Sequence, residues 1–332
     1  MRVPPITKRD AHLGTGAIGL DLGWRTMDDG SIRVAAWSDG TTDSELRLPP
    51  RMVNGLRIPA SIREHRDDLF NVAKAWLRDQ LDSRPEAWGL GIVCAYMHAW
   101  KRPAKLAAVV SRMRNLEEYS DLYDVLESWR VRDKHLWQYE CTQRHRAMAK
   151  RKDLYRVTAA QLANKFSRIG VEIFDLRKFA RSPRTEDVEN EQSENARAVR
   201  VLVAPHIFRD ALKHACTKRY AALVQLPAQN TTRECSVCHV IETFDAAKNL
   251  RHICSNGHEW DQDGNAGRNL LARLLDRERS GGVSIPVIAR KRTKRSDPAH
   301  PGETSQARQK RKCAERKSRL AIARGAGIDA AK

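Results

Sequence analysis

Three separated segments of this chain carry carboxylates of the kind that hold divalent cations. They are Gly19-Leu20-Asp21-Leu22-Gly23, Val171-Glu172-Ile173-Phe174-Asp175-Leu176 and Trp260-Asp261-Gln262-Asp263-Gly264-Asn265-Ala266. Carboxylates that converge on two ions about 3.5–4 Å apart promote hydrolysis of a phosphodiester. Magnesium takes oxygen ligands and keeps several waters, so three or four carboxylates suffice, and manganese is the alternative ion. Each segment alone has a plainer explanation. Asp21 ends an apolar run, as a turn acid does. Glu172 sits inside an apolar strand-like run, where it either points to solvent or is paired, because an unpaired buried carboxylate is costly. Asp261 and Asp263 precede a helix-like run, where Asp commonly caps. Asp175 falls on the face opposite Glu172 or beyond the strand end. Asp175 and Asp261 are therefore secondary acids behind Asp21, Glu172 and Asp263.

Just before the third acidic segment, Cys235-x-x-Cys238 has the spacing that lets two thiolates share one tetrahedral ion. The second half-site is Cys254-Ser255-Asn256-Gly257-His258. The expectation is structural zinc on Cys235, Cys238, Cys254 and His258, with His239 and His252 as spare donors. The last spacing departs from a second C-x-x-C, which leaves a ribbon without metal as the alternative. Seven cysteines are an odd number. With three of them clustered, the set points to a reducing cytoplasm rather than a disulfide framework. Cys94, Cys141 and Cys216 read as small core residues.

The surrounding pattern supplies elements to position these groups. Residues 16–37 read as a hairpin with a turn at Asp29-Gly30, and residues 45–48 add an edge before Pro49-Pro50 breaks the pattern. Ile62, Leu69, Val72, Ala73, Trp76, Leu77 and Leu81 share one face of a helix over 61–82. Residues 103–169 are mostly helical, with a pair of long helices over about 122–166. Tyr123, Leu126, Trp129, Leu136 and Tyr139 read as core or interhelix contacts there. Strands follow at Ile169–Leu176 and Ala221–Leu226, separated by an acidic flexible stretch over 182–198 and a helix from about Ala196 to Lys218. A final helix starts near Asn265 and runs to Arg279.

A net charge of +19 favours a polyanionic partner, nucleic acid before an anionic membrane. The plainer alternative is a ribosome-associated or merely soluble basic protein. No apolar run of about 18 residues spans a bilayer, and Met1–Asp10 lacks a signal-peptide core. Arg144, Arg146, Lys150, Arg151 and Lys152 form a basic helix face, and Arg290, Lys291 and Arg292 open a Lys- and Arg-rich tail. Both are candidate phosphate contacts, and the tail composition predicts disorder.

Taken together, these motifs resemble the RuvC-like nuclease half of the type V CRISPR effectors, the Cas12 superfamily, and of the TnpB transposon-associated nucleases. The first family motif, D-x-G on a strand, matches Asp21-Leu22-Gly23. The second matches Val171-Glu172, Asp175-Leu176 and Ala180-Arg181. The third, D-x-D-x-N-A-x-x-N, matches Asp261, Asp263, Asn265, Ala266 and Asn269. Asn230-Thr231-Thr232 fits the approach to the ribbon. Gly23-Trp24-Arg25 and Asp29-Gly30-Ser31 look closest to the smaller type V effectors.

The resemblance implies an α/β, ribonuclease H-like (RuvC) split domain with helical and zinc-ribbon insertions. Its divisions are a short lead over 1–15 and a core over 16–234 with a helical insertion near 103–168. The ribbon follows over 235–258, then the last RuvC segment over 259–280 and a basic tail over 281–332. It implies Asp21, Glu172 and Asp263 as catalytic acids of a magnesium-dependent endonuclease acting on DNA, with a guide RNA. Only about fifteen residues precede the first motif. The expectation is a truncated relative, a fragment, or one half of a system whose N-terminal effector half is separate. A binding module without cleavage and an inert mobile-element remnant are the alternatives. A prokaryotic, phage or mobile-element origin and a cytoplasmic location follow from the same resemblance.

Overall fold

The structure, a computed structural model, describes residues 14–84, 88–173, 191–244 and 249–280. Asp175, Ala180-Arg181, and Arg290, Lys291 and Arg292 with the rest of the tail lie outside the described residues.

The fold is mixed α/β. Strands β1 (Ala17–Thr26), β2 (Ile32–Ser38) and β3 (Asp43–Leu48) form an antiparallel meander. Gly30 turns the first hairpin at φ +76°, and the Ser31 N–H donates to Asp29 Oδ1 at 2.8 Å. Strands β4 (Arg168–Glu172) and β5 (Ala222–Leu226) then add in parallel on the other side of β1, giving the order β3-β2-β1-β4-β5. Parallel neighbours need long crossovers. Helices supply them between β1 and β4 and again between β4 and β5.

Helix α1 (Pro50–Asp82) begins at Pro50 itself, because proline's fixed φ and missing N–H suit the first helical position. Pro49-Pro50 therefore starts a helix as well as ending a strand, and α1 is longer than the periodicity over 61–82 foretells. Val72, placed on its apolar face by spacing, is exposed. Two short helices follow, α2 (Trp88–Cys94) and α3 (Pro103–Met113). Residues 120–165 form one uninterrupted helix, α4 (Ser120–Lys165), rather than two. Its antiparallel partner is α1. Arg66 reaches Asp133 and Glu140 at 2.9 Å each, and Arg84 pairs with Asp121 nearer the opposite end. Glu140 tolerates burial because Arg63, Arg66 and Arg144 all contact it. Leu126 and Trp129 are buried in the helical cluster with Phe70 and Leu77, whereas Tyr139 is exposed.

The single helix expected near 196–218 is two, α5 (Glu191–Val203) and α6 (Pro205–Arg219). Pro205 disfavours helical geometry in the residue before it, and Ala204 adopts φ +47°. Helix α7 (Gln262–Arg279) closes the described chain.

The sheet is covered on both faces. Ile18, Leu20 and Leu22 face a core with Tyr155, Leu162, Phe208 and Leu212 from α4 and α6. Ala17, Val224 and Leu226 face Leu270, Leu271 and Leu274 of α7. No helix among the described residues is long and apolar enough to cross a membrane.

Candidate metal centres

The carboxylate site follows from two glycines and a strand period of two. A Cβ on Gly19 would lie 2.1 Å from the Gly267 carbonyl oxygen and 2.2 Å from the Leu271 nitrogen, so this face of β1 lies directly against α7. A Cβ on Gly170 would approach Leu226 and Leu274 on the same side. Gly19 pairs with Gly170 and Leu20 with Val171 in parallel register. Asp21 and Glu172 come one residue later, side by side, on the α7 face. Asp263 lies one turn before Gly267, at the α7 N-terminus, so the close helix–sheet contact carries it toward the same place.

The electrostatics agree with that placement. Burial, then the charges of Glu172 and Asp263, push the Asp21 carboxyl well above its usual range. Burial, with a contribution from Asp263, pushes Glu172 up to about 7, against a hydrogen bond from the Leu22 backbone. Glu172 is 7% exposed. The three acids are within electrostatic reach of one another. Even so, among the described residues only the cysteine–histidine set below brings three or more such ligand atoms within 4.8 Å of one another.

Arg33 on β2 completes the site, and sequence reasoning missed it. Its Nη1 donates to Asp263 Oδ2 at 2.9 Å and to Asp261 Oδ1 at 2.9 Å, while Nε donates to Glu45 Oε2 at 2.5 Å. The residue is 7% exposed. Burial alone would lower its pKa, but the Asp263 hydrogen bond and the charges of Asp261, Asp263 and Glu45 outweigh that and raise it. Asp261 also caps α7, accepting from the Asp263 N–H at 3.0 Å and the Gly264 N–H at 3.2 Å.

A raised carboxyl pKa has a definite sign in stability. The folded protein holds a proton on Glu172 at pH values where the unfolded chain has lost it. The metal-free fold therefore loses stability through Glu172 as pH rises from about 4.5 to about 7. Urea titrations of metal-free protein at pH 5 and pH 7.5 will show that loss in wild type and a smaller one in Glu172→Gln. Equal losses would place the proton elsewhere.

The second centre is Cys235, Cys238, Cys254 and His258. Cys238 Sγ lies 3.7 Å from Cys254 Sγ, and His258 Nδ1 lies 3.4 Å from Cys254 Sγ and 3.8 Å from Cys235 Sγ. Strands β6 (Arg251–Ile253) and β7 (Glu259–Asp261) form the ribbon hairpin that carries Cys254 and His258. Hydrogen bonds from the Val240 backbone and the Asn256 side chain push the Cys238 thiol down to about 6, which favours the ligating thiolate. Three thiols and an imidazole suit a soft or borderline ion. Of the spare histidines, His252 stacks on Phe244 with ring centroids 4.1 Å apart, and His239 faces Glu234 at 3.2 Å.

Two asparagines join the centres. Asn265 donates to the Glu234 carbonyl at 2.7 Å and accepts from the Ser236 N–H at 2.9 Å. Asn269 donates to the Thr231 carbonyl at 2.8 Å and the Glu234 carbonyl at 2.7 Å. Both are buried on one face of α7. These residues of the third motif clamp the cysteine knuckle to the helix that presents Asp263.

The basic side chains divide. Arg146, Lys150 and Lys152 are exposed on α4, and Arg144 pairs with Glu140. Arg151 corrects the expectation of a phosphate contact. It is 4% exposed, and its guanidinium binds the Leu202 carbonyl and, at 3.5 Å, that of Val201, satisfying the C-terminal end of α5.

The family model described as Cas12f1-like, TNB domain matches residues 206–270, which include the knuckle and the start of α7. A CRISPR-associated DNA-binding protein Cas12m of Thermanaerosceptrum fracticalcis is 34% identical over 261 residues, covering 77% of this chain and 44% of the relative. This chain is a relative of the Cas12 type V effectors. A second Cas12m, from Allomeiothermus silvanus, is 33% identical over 281 residues, covering 82% of this chain and 51% of its own length. The chain spans about half the length of the Cas12 relatives it matches. The solved structure of CasPhi-2 (Cas12j) bound to crRNA and phosphorothioate-DNA aligns at 13% identity with a TM-score of 0.37, over 82% of this chain and 46% of that one.

Proposed function

We propose that this chain is the nuclease-type half of an RNA-guided DNA effector, with a ribonuclease H-like sheet presenting Asp21, Glu172 and Asp263 to divalent metal. The observation that carries this reading is the parallel register that sets Asp21 beside Glu172 on the sheet face packed against α7, whose first turn holds Asp263. The donor set fits magnesium or manganese. All three are oxygen donors, and burial raises the carboxyl pKa of Asp21 and Glu172 above the usual range. An antiparallel meander followed by two parallel strands supports the ribonuclease H-like assignment.

Bound magnesium would supply Lewis acidity and an activated water. Asp21 and Glu172 offer ligand oxygens from adjacent parallel strands, and Asp263 offers its own from a helix start. Zinc at Cys235, Cys238, Cys254 and His258 is structural, since a shell of four protein ligands leaves no open position. Arg146, Lys150 and Lys152, with Arg290, Lys291 and Arg292 of the tail, contact phosphates in a salt-dependent way. Guide RNA reads sequence by pairing, while the protein grips the backbone. The partners are DNA and guide RNA, in a prokaryotic cytoplasm. The domain divisions are those given above.

A second reading, DNA binding without cleavage, is favoured by Arg33, whose guanidinium already engages Asp263 and Asp261. The two Cas12m relatives above are also named as DNA-binding proteins. Labelled single-stranded DNA with magnesium separates the two. Nuclease action gives fragments with wild type and none with Asp263→Ala, both proteins shifting the DNA equally. Intact DNA with equal shifts assigns binding alone.

A further inference from the structure

We propose that Arg33 is a built-in competitor for the metal, a side-chain cation that sets how tightly the carboxylate site takes a divalent ion. The inference rests on the reading of Asp21, Glu172 and Asp263 as metal ligands. It starts from three contacts. One nitrogen of the guanidinium, Nη1, is shared between Asp263 and Asp261 at 2.9 Å each, and Nε is held by Glu45 at 2.5 Å. Arg33 is nearly buried, so little water weakens these bonds. Asp263 Oδ2 cannot accept Nη1 and bind an ion along the same lone-pair direction at once. Metal binding at that oxygen must displace the guanidinium or settle for the remaining oxygen.

The charges facing Arg33 come from three elements. They are Glu45 on β3, Asp261 at the end of β7 and Asp263 at the start of α7. Asp21 on β1 lies close enough for the Arg33 charge to lower its pKa. Arg33 is thus tied to one acid of the trio and acts electrostatically on a second, while Glu172 on β4 senses Asp263 but has no tie to Arg33. A divalent ion entering on the Asp21–Glu172 side meets an arginine already bound to its third ligand. Arg33 is a positioning residue: it orients Asp263 and weakens its availability, and it takes no part in bond cleavage.

Manganese titration of the full-length, zinc-loaded chain tests this, followed by electron paramagnetic resonance of free Mn2+ and by thermal melting. Arg33→Gln and Arg33→Met are the variants, the second filling the buried volume without a polar group. The expected result is at least a tenfold tighter Mn2+ site in Arg33→Gln than in wild type. Melting temperature should also rise more with Mn2+ in both variants. Adding Asp263→Asn to Arg33→Gln should remove the gain. A variant that folds poorly without metal should be restored by Mn2+, because the ion replaces the missing charge. Unchanged or weaker Mn2+ binding in Arg33→Gln, or no restoration by Mn2+, would overturn the proposal and leave Arg33 a structural tie. If neither wild type nor variant binds Mn2+ in a manner sensitive to Asp263, the metal reading falls, and this proposal with it.

Discussion

Gly19→Ala will destabilise the protein by about 3 kcal/mol or more, an unusually large loss for one added methyl group. The reason is what the methyl meets. All three nearest atoms are backbone: the Gly267 oxygen at 2.1 Å, the Leu271 nitrogen at 2.2 Å and the Leu270 carbonyl carbon at 2.8 Å. None can rotate away, so α7 must lift from β1 or the strand must bow. Either movement takes Asp263 away from Asp21. Gly170→Ala is the internal control. There the closest atom is the end of the Leu226 side chain at 2.7 Å, followed by Leu274 side-chain atoms at 3.3 and 3.4 Å. A flexible tip can move, and the loss should be about 1 kcal/mol. Urea midpoints of the two variants measured side by side check the contrast. Equal losses would mean that the helix–sheet contact is looser than drawn.

On the reading of Cys235, Cys238, Cys254 and His258 as a zinc site, removing the ion will have the second large effect. Structural zinc in small ribbons carries an apparent binding free energy of about 10–16 kcal/mol, most of it folding energy. In this chain the consequence extends beyond the ribbon. Asn265 and Asn269 hold the Thr231 and Glu234 carbonyls, so a loosened knuckle frees one face of α7 near Asp263. Cys254→Ser should therefore reduce bound zinc from one per chain to near none, lower the melting temperature sharply and weaken Mn2+ binding at the distant acids. Elemental analysis and Mn2+ titration give both numbers. A zinc-free wild-type protein that melts at the same temperature as the variant would show that Phe244, His252 and Trp260 hold the ribbon by packing alone.

Much of this arrangement is legible in sequence because it is local. The hairpin over 16–37 announces itself through alternation and Asp29-Gly30, and the strand over 222–226 through an apolar run. The cysteine–histidine spacing foretells the four ligand atoms that the structure brings together. The Pro205 break in the helix after residue 196 is equally local, because proline disfavours helical geometry in the residue before it. Arg33 is different. In Ile32-Arg33-Val34 it reads as an outward charge on an alternating strand, and its partners in the acidic site lie 228 and 230 positions away. Arg151 misleads for the same reason. It sits among surface-facing basic residues on α4, and nothing within one helical turn says that the end of α5 covers it. The single 46-residue span of α4 was also obscured, because its apolar contacts divide between two cores, one with α1 and α3 and one with the sheet.

The proposed function requires Asp21, Glu172 and Asp263 to form one divalent-metal site. Crystals of wild type and of Arg33→Gln soaked in excess Mn2+, with anomalous difference maps, test it most directly. An anomalous peak is expected in contact with Asp21 and Glu172 oxygens, joined by Asp263 once Arg33 is removed. Manganese found only elsewhere in both crystals, with the acids still bound to protein groups alone, would contradict it.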